Sequence, residues 1–319
     1  MSEIKEIPQY LENPYFQTLL VCDIKPAQLS VEQSESNTTD PLFLNQNNEN
    51  WQKEIESAKA KRIESQNKPQ FTLRDFILTE DKLTLLTTRT DWKSFRFTRK
   101  PEVRKTFPKD YMSDILGTNV LIKTSDNKLI FVRRSLKGYK SGAASTVGGY
   151  PDISQDQDDN GSWDPFKTIT REIQEETSIT PSEITRLHLT GIIYNKDQQN
   201  PNLAFVAEIS LTEKELRNEL LSGQRKTDKE VDLKFIPDTK EELRNLSLWY
   251  ALANSPAGIS TLAFYGGQKY GPDFLNFVLE RLERRGQKYQ TLTTEQQEKI
   301  QQKASLRLSK FDSIKLQEE

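Results

Sequence analysis

The residues whose types and spacing could do chemistry are Glu172, Glu175 and Glu176, in the run Arg171-Glu172-Ile173-Gln174-Glu175-Glu176-Thr177-Ser178-Ile179. Read as a helix, the three carboxylates lie at i, i+3 and i+4 and project from one face. Ile169 and Ile173 are free to point the opposite way, into a core. Three crowded carboxylates repel each other, so the face is either solvated or set against a hard divalent cation. Mg²⁺ takes one or two carboxylates, keeps several waters and usually holds substrate phosphates as well. An isolated acidic triplet is most often a solvated face. Here a glycine pair, Gly148-Gly149, stands upstream at the end of a strand and loop. Arg133-Arg134 directly follow a strand and form either a solvated cation pair or an anion contact. His188 is the only histidine and Cys22 the only cysteine. That excludes a multi-histidine metal site, an intramolecular disulfide and a thiolate zinc site. A general base would then be a carboxylate, with Glu172 and Glu208 as candidates.

The elements that must position these residues follow from pattern. The chain has 319 residues, of which 34% are hydrophobic, and a net charge of −2. Its mean hydropathy is −0.74. Long polar loops or tails therefore dilute an ordinary core, and no basic stripe marks a nucleic-acid surface. No apolar stretch reaches the length of a membrane span. No apolar leader follows Met1, and the single cysteine suits a reducing compartment, so a cytoplasmic protein is expected. The first 25 residues read as one strand, Tyr15–Val21. Residues 29–50 read as a polar loop and Trp51–Ser65 as a helix. Short strands are expected at Phe71–Leu73, Phe76–Leu78 and Leu83–Leu86, closing a small α+β unit over residues 1–105. A second unit, 106–270, opens with a hairpin, Val120–Ile122 and Leu129–Val132, turning at Ser125–Lys128. Asp164 caps a helix to Thr177, with Pro165 at its first position. Strands follow at Leu187–Tyr194, Leu203–Ser210 and Val231–Ile236, and helices at Thr212–Leu221, Glu241–Ala253 and Pro256–Tyr265. Residues 271–319 read as a helical extension with apolar stripes at Phe274, Phe277, Val278 and Leu282 and at Leu306, Leu308 and Phe311.

With the motif placed on its helix, the chain resembles the Nudix hydrolases, Mg²⁺-dependent enzymes that cleave nucleoside diphosphates linked to another group. Their signature is Gly, five residues, Glu, seven residues, then Arg-Glu-aliphatic-any-Glu-Glu-any-Gly-aliphatic. Arg171 to Ile179 matches, except that Ser178 stands where glycine is usual. The first half departs from the pattern. Counting back, Trp163 falls at the outer glutamate and Gln157 at the first glycine. An Asp-, Gln-, Asn- and Ser-rich insertion displaces Gly148 and Gly149 upstream. The resemblance implies an α+β fold: a Nudix α/β/α sandwich with a mixed sheet, preceded by the small unit and followed by the helical extension. It also implies that Glu172, Glu176 and Glu175 hold Mg²⁺, with Mn²⁺ as the alternative, and that Arg171 belongs to the catalytic motif.

Outside that run the chain is similar to the Nudix hydrolases of UDP-glucose and UDP-galactose. The similarity lies in an ordered series: Thr90-Asp91-Trp92-Lys93-Ser94-Phe95, Asp114-Ile115-Leu116-Gly117, Phe131-Val132-Arg133-Arg134-Ser135 and Gly148-Gly149-Tyr150-Pro151-Asp152. The resemblance implies substrate contacts from Trp92 to the base, Arg134 to the pyrophosphate, and Ser145, Tyr150, Asp152 and Ser255 to the rest of the nucleotide sugar. It implies cleavage to UMP and a sugar 1-phosphate. A monomer or homodimer is expected, and the charge and hydropathy give no nucleic-acid or membrane partner. Two other readings stay open. One is a Nudix hydrolase of ADP-ribose, a dinucleotide or coenzyme A. The other is a non-catalytic nucleotide-binding module.

Overall fold

A computed structural model describes residues 16–35, 40–60, 66–134, 144–196, 198–225, 231–253, 256–290, 293, 295–296 and 313–314. In chain order the elements are β1 (Phe16–Ile24), β2 (Leu29–Ser34), α1 (Pro41–Ala60), β3 (Pro69–Leu78), β4 (Leu83–Asp91), α2 (Trp92–Thr98), α3 (Pro101–Thr106), β5 (Gly117–Lys123) and β6 (Lys128–Arg134). Then come β7 (Ala144–Ser145), β8 (Val147–Gly149), α4 (Pro165–Thr177), β9 (Ile184–Asn195), β10 (Asn200–Ile209), α5 (Glu213–Leu221), β11 (Val231–Pro237), α6 (Lys240–Ala253), α7 (Pro256–Tyr270), α8 (Pro272–Gln290) and β12 (Ser313–Ile314).

The large sheet runs β1-β9-β10-β5-β6-β11-β12, with β8 on β5 and β7 on β6. Only the β10–β5 pairing is parallel, so the sheet is mixed. Period-2 alternation sends its side chains into two separate cores. Val120 and Ile122 of β5, Ile130 and Val132 of β6, and Leu203, Phe205 and Ala207 of β10 meet Ile169 and Ile173 of α4. Their neighbours Leu121, Leu129, Phe131, Ala204 and Val206 meet α6, α7 and α8 through Leu243, Ile259, Leu262, Phe264, Phe274 and Val278. The result is a mixed α+β sandwich, with added elements before and after it.

The hairpin, α4, α5 and β11 stand where the sequence puts them, give or take a residue or two. Elsewhere the chain departs from expectation. The expected strand near residue 15 exists, but β1 pairs antiparallel with β9 and forms the edge of the large sheet. The small sheet is built by residues 29–91 alone, in the order β2-β4-β3. Residues 41–50, read as loop, are helical. Asp40 caps α1 by accepting from the backbone N–H of Leu42 at 2.8 Å and Phe43 at 3.3 Å, and Pro41 opens the first turn. Phe43, Asn47, Asn50 and Trp51 are its buried positions, an i, i+4, i+7, i+8 face that the asparagines conceal from a hydropathy reading. Phe71–Leu78 is one strand with a bulge between Leu73 and Asp75, not two. In the tail, Phe274, Val278 and Leu282 are buried as expected, but Ser313–Ile314 form a strand on β11. Leu306, Leu308 and Phe311 lie outside the described residues. Among those described, no helix is long and apolar enough to cross a membrane.

Candidate functional site

Helix α4 carries the motif. Asp164 accepts from Phe166 N at 2.8 Å and Lys167 N at 3.4 Å, and Pro165 supplies a first-turn φ already suited to helix. The helix ends at Ser178, whose φ of 60° is left-handed. A non-glycine residue there costs roughly 1–2 kcal/mol. Arg225 donates to the Ser178 carbonyl at 2.6 Å and helps hold the turn.

The carboxylates are not a solvated face opposite the core. Glu172 lies three residues after Ile169 and Glu176 three after Ile173, so both sit on the margin of the apolar stripe. They are 5% and 8% exposed. Only Glu175 reaches outward, with 29% of its side chain exposed. Above Glu172 runs the glycine strand β8, paired to β5 through Gly149 and Thr118. A Cβ on Gly149 would stand 2.1 Å from Oε1 of Glu172. The glycine is required because a carboxylate occupies the space of its missing side chain.

Arg171 ties this face together. Its Nη1 donates to Glu172 Oε1 at 2.9 Å and Glu175 Oε1 at 3.0 Å, and its Nη2 to the Tyr150 carbonyl at 3.1 Å. Nε and Nη2 grip Asp156 with two parallel bonds of 3.0 and 2.9 Å. Burial opposes the charge on Arg171. Its bonds to Asp156 and Glu175, with the field of Glu172, outweigh burial and hold the guanidinium protonated beyond its ordinary range.

Asp156 is a site residue the motif did not point to. It is 1% exposed. It also accepts from Thr168 Oγ1 at 2.8 Å and the backbone N–H of Asp152 at 2.8 Å. Its only signal in the sequence was its acidity, submerged in an insertion of similar residues. That insertion folds into a small hairpin closed by a bridge between Gln157 and Trp163. Trp163, at the position of the outer glutamate, is 2% exposed. Its ring stacks on Phe71 of β3 at 5.4 Å and 17°, and its Nε1 donates to Thr168 Oγ1 at 2.8 Å.

Several expected substrate residues converge on this face. The Trp92 ring, at the start of α2, meets the Tyr150 ring edge-on at 5.5 Å, although 58 positions separate them in the chain. Both are half-buried. The Tyr150 hydroxyl donates to Gln198 Oε1 at 3.1 Å. Asp152 turns back on its own loop, accepting from Ser154 N at 3.0 Å, Ser154 Oγ at 2.6 Å and Gln155 Nε2 at 3.2 Å. The Ser154 hydroxyl, chiefly, holds its carboxyl below the usual range. Ser145 sits on β7 opposite Val132 and donates to the Thr146 carbonyl at 2.7 Å. Arg134 ends β6 opposite Val231. The Arg134 side chain and the whole of Ser255 lie outside the described residues.

Glu208, a candidate base, is at the wrong end of the sheet. It pairs with Lys123, whereas β8 and Glu172 lie by Thr118. Five residues of strand separate those positions by roughly 16 Å. Glu208 also shares the parity of Ala204 and Val206, whose face is covered by α7, and its carboxylate meets Arg186 at 3.6 Å. His188 is 4% exposed and lies in β9 opposite Val206, a structural place.

The fit to a metal is chemical. Among the described residues no three carboxylate, imidazole or thiol groups converge as a metal-holding cluster. Two buried carboxylates one helical turn apart, beneath a strand with no side chain at the contact, are still the all-oxygen donors Mg²⁺ takes from a protein.

The mixed α+β sandwich with the Arg-Glu-Ile-Gln-Glu-Glu run on α4 is the arrangement that the resemblance to the Nudix hydrolases implies. In sequence, the chain is similar to the uridine diphosphate glucose pyrophosphatases NUDT22 of Bos taurus and Homo sapiens, at 25% and 26% identity over 162 residues. Each match takes in 46% of this chain and 56% or 54% of the relative. The matched region thus spans about half the length of those curated relatives. No family model matches the chain. Among solved structures it is similar to the NUDIX domain of Shewanella oneidensis NrtR complexed with ADP ribose, with 17% identity, 35% of this chain, 72% of that one and a TM-score of 0.27. It is also similar to the Nudix hydrolase RenU of M. smegmatis, with 10% identity, 50% and 89% coverage and a TM-score of 0.31. Likeness at these scores assigns no residue of the site.

Proposed function

We propose that the protein hydrolyses the phosphoanhydride of a nucleoside diphosphate sugar, a UDP-hexose, to UMP and a sugar 1-phosphate. The observation that carries this reading is the contiguity of two things. One is the Arg171-Glu172-Glu175-Glu176 face, in which Glu172 and Glu176 are buried. The other is an aromatic corner, Trp92 against Tyr150, joined to it through the Tyr150 carbonyl on Arg171. The first suits a metal-bound pyrophosphate, and the second gives a base something to stack on. Similarity to the two uridine diphosphate glucose pyrophosphatases supports the choice of base and sugar.

Glu172 and Glu176, with Glu175, would hold Mg²⁺, which when bound neutralises phosphoryl charge and acidifies a water. Arg171, fixed by Asp156, keeps Glu172 and Glu175 in place. Arg134 reaches the pyrophosphate, for which its planar donor fork is suited. Glu172 is the carboxylate that receives a proton from the attacking water. Trp92, Tyr150 and the hairpin insertion exclude water and shape the base and sugar pockets. Ser145, Asp152 and Ser255 complete the substrate contacts.

A panel of UDP-glucose, UDP-galactose, ADP-ribose, a dinucleoside diphosphate and coenzyme A, each with Mg²⁺ and with excess chelator, tests this. UMP release from the UDP-hexoses that ceases in chelator is expected. It should fall at least ~10²-fold in Glu176→Gln, because the metal's charge stabilisation goes with that ligand. Preference for ADP-ribose would keep the hydrolase and overturn the sugar nucleotide. Binding without turnover anywhere would overturn catalysis.

A further inference from the structure

A second pocket, of about 270 Å³, lies in the small unit among α1, β3, β4 and the segment before β5. Arg74 and Arg89 line it together with Thr90, Ser94, Tyr111 and Ser113. It includes none of the Arg171–Ile179 residues. Arg74 is exposed on the pocket side, and both of its bonds go to neutral acceptors, Nε to Thr88 Oγ1 at 3.3 Å and Nη1 to the Met112 carbonyl at 3.2 Å. It makes no ion pair among the described residues. Asp91, the acid on the pocket wall, is committed elsewhere. Its Oδ1 caps α2 at Ser94 N, 2.7 Å, and its Oδ2 accepts from Asn67 at 2.8 Å. Asp110 and Asp114 act on Arg74 only through space.

Arg89 adds a second positive charge at the rim, where its partner is the exposed Glu35 at 3.5 Å. Two guanidiniums lining one small pocket repel each other, and the donors of Arg74 have no bonded anion among the described residues. An incoming anion relieves both terms. The remaining wall suits one. Thr90 and Ser113 share a hydroxyl–hydroxyl bond of 2.7 Å that rotates toward a better acceptor, and Ser94 Oγ accepts from Asn47 and keeps its own proton to donate. Tyr111, edge-on to Phe43 at 5.4 Å, offers an apolar side to the body of an organic anion.

We propose that this pocket is a ligand site separate from the Glu172–Glu176 face, and that Arg74 binds there the phosphate or carboxylate of a small anion.

The test is thermal melting of the full chain in chelator, so that no metal-bound phosphate forms on α4. Inorganic phosphate and citrate are the two probes, each compared with chloride at matched ionic strength. A saturating rise in Tm with phosphate, citrate or both is expected, and which probe acts tells phosphate from carboxylate. The rise should vanish in Arg74→Met and persist in Glu176→Gln. Arg89→Gln, at the exposed rim, should raise the half-saturating concentration about tenfold, the worth of one charge-assisted bond, and it carries the test if Arg74→Met does not fold. No rise with either probe, a rise that survives Arg74→Met, an unchanged midpoint in Arg89→Gln, or a rise lost in Glu176→Gln alone would each overturn the proposal.

Discussion

Trp163→Glu would restore the carboxylate that the Nudix pattern has at that position, and it should ruin the protein. The Trp163 ring is 2% exposed and stacked on Phe71 at 5.4 Å. Removing a buried tryptophan costs about 3–5 kcal/mol. The aromatic pair adds about 0.5–1.5 kcal/mol beyond its area. The glutamate would also be a desolvated charge close to Asp156, since Thr168 Oγ1 bonds both Trp163 and Asp156 at 2.8 Å. The total exceeds about 5 kcal/mol, comparable with the whole stability of many domains. At about 2–4 °C per kcal/mol for a domain of a couple of hundred residues, Tm should fall by at least roughly 10 °C. Trp163→Phe separates the terms. It keeps the stack, loses the Nε1–H bond and some volume, and should cost only about 1–3 kcal/mol. Differential scanning calorimetry with UMP release on the same samples measures both. A Trp163→Glu protein that melts within about 3 °C of the parent and turns over as fast or faster would refute this. It would mean the carboxylate is tolerated at 163 as a functional group and the stack on Phe71 contributes little.

Asp156→Asn should lower kcat more than it raises KM, because Arg171 loses its charged anchor and no longer fixes Glu172 and Glu175. Steady-state kinetics beside a melt would show whether the loss exceeds the fall in stability, expected at about 3–5 kcal/mol for a broken buried pair. Gly149→Ala forces a methyl into the Glu172 carboxylate, so Mg²⁺ titrations of activity should shift to higher concentration while the melt drops by about 1–3 kcal/mol. Trp92→Ala should raise KM for UDP-glucose by roughly ten- to a hundredfold if the ring stacks on the base, whereas a collapsed melt with unchanged KM would make Trp92 structural. Arg225 draws Glu183 down to about 2, its hydrogen bonds to the carboxylate being the main cause. A depressed acid stabilises the fold above its unfolded value of 4.5 and loses that stability as pH falls toward about 2. Acid melts of Arg225→Met should therefore show a shallower loss between those pH values than the parent.

What could be read in advance was what short-range rules govern. The Asp164 cap, Pro165 and the Arg171–Ile179 run placed α4 without help, because capping and period are local. The hairpin at Asn127 and the strands around it were legible for the same reason. What Trp163 does in place of the outer glutamate was not legible. Its partner Phe71 lies in another sheet, and nothing local to the insertion announces a stack. Asp156 was hidden because an acid that grips Arg171 looks, in sequence, like the acids beside it that face water. That Glu172 and Glu176 are buried was not legible, since a helical wheel gives direction but not what covers it. Residues 41–50 were lost to hydropathy, because Asn47 and Asn50 bury amide groups that score as polar.

The placement of β1 has a consequence for how the chain is made. Phe16 pairs with Asn195 and Ile24 with Leu189, so β1 leaves the ribosome without its partner strand until about 160 more residues have followed. At about 5–20 residues per second that wait is roughly ten to thirty seconds. Through it, Phe16 and Ile24, each about fully buried in the finished sheet, stay in solvent while β2, β3, β4 and α1 can already assemble downstream. A nascent chain halted before β9 should therefore bind hydrophobic-surface chaperones through β1, and release them once residues 184–195 emerge.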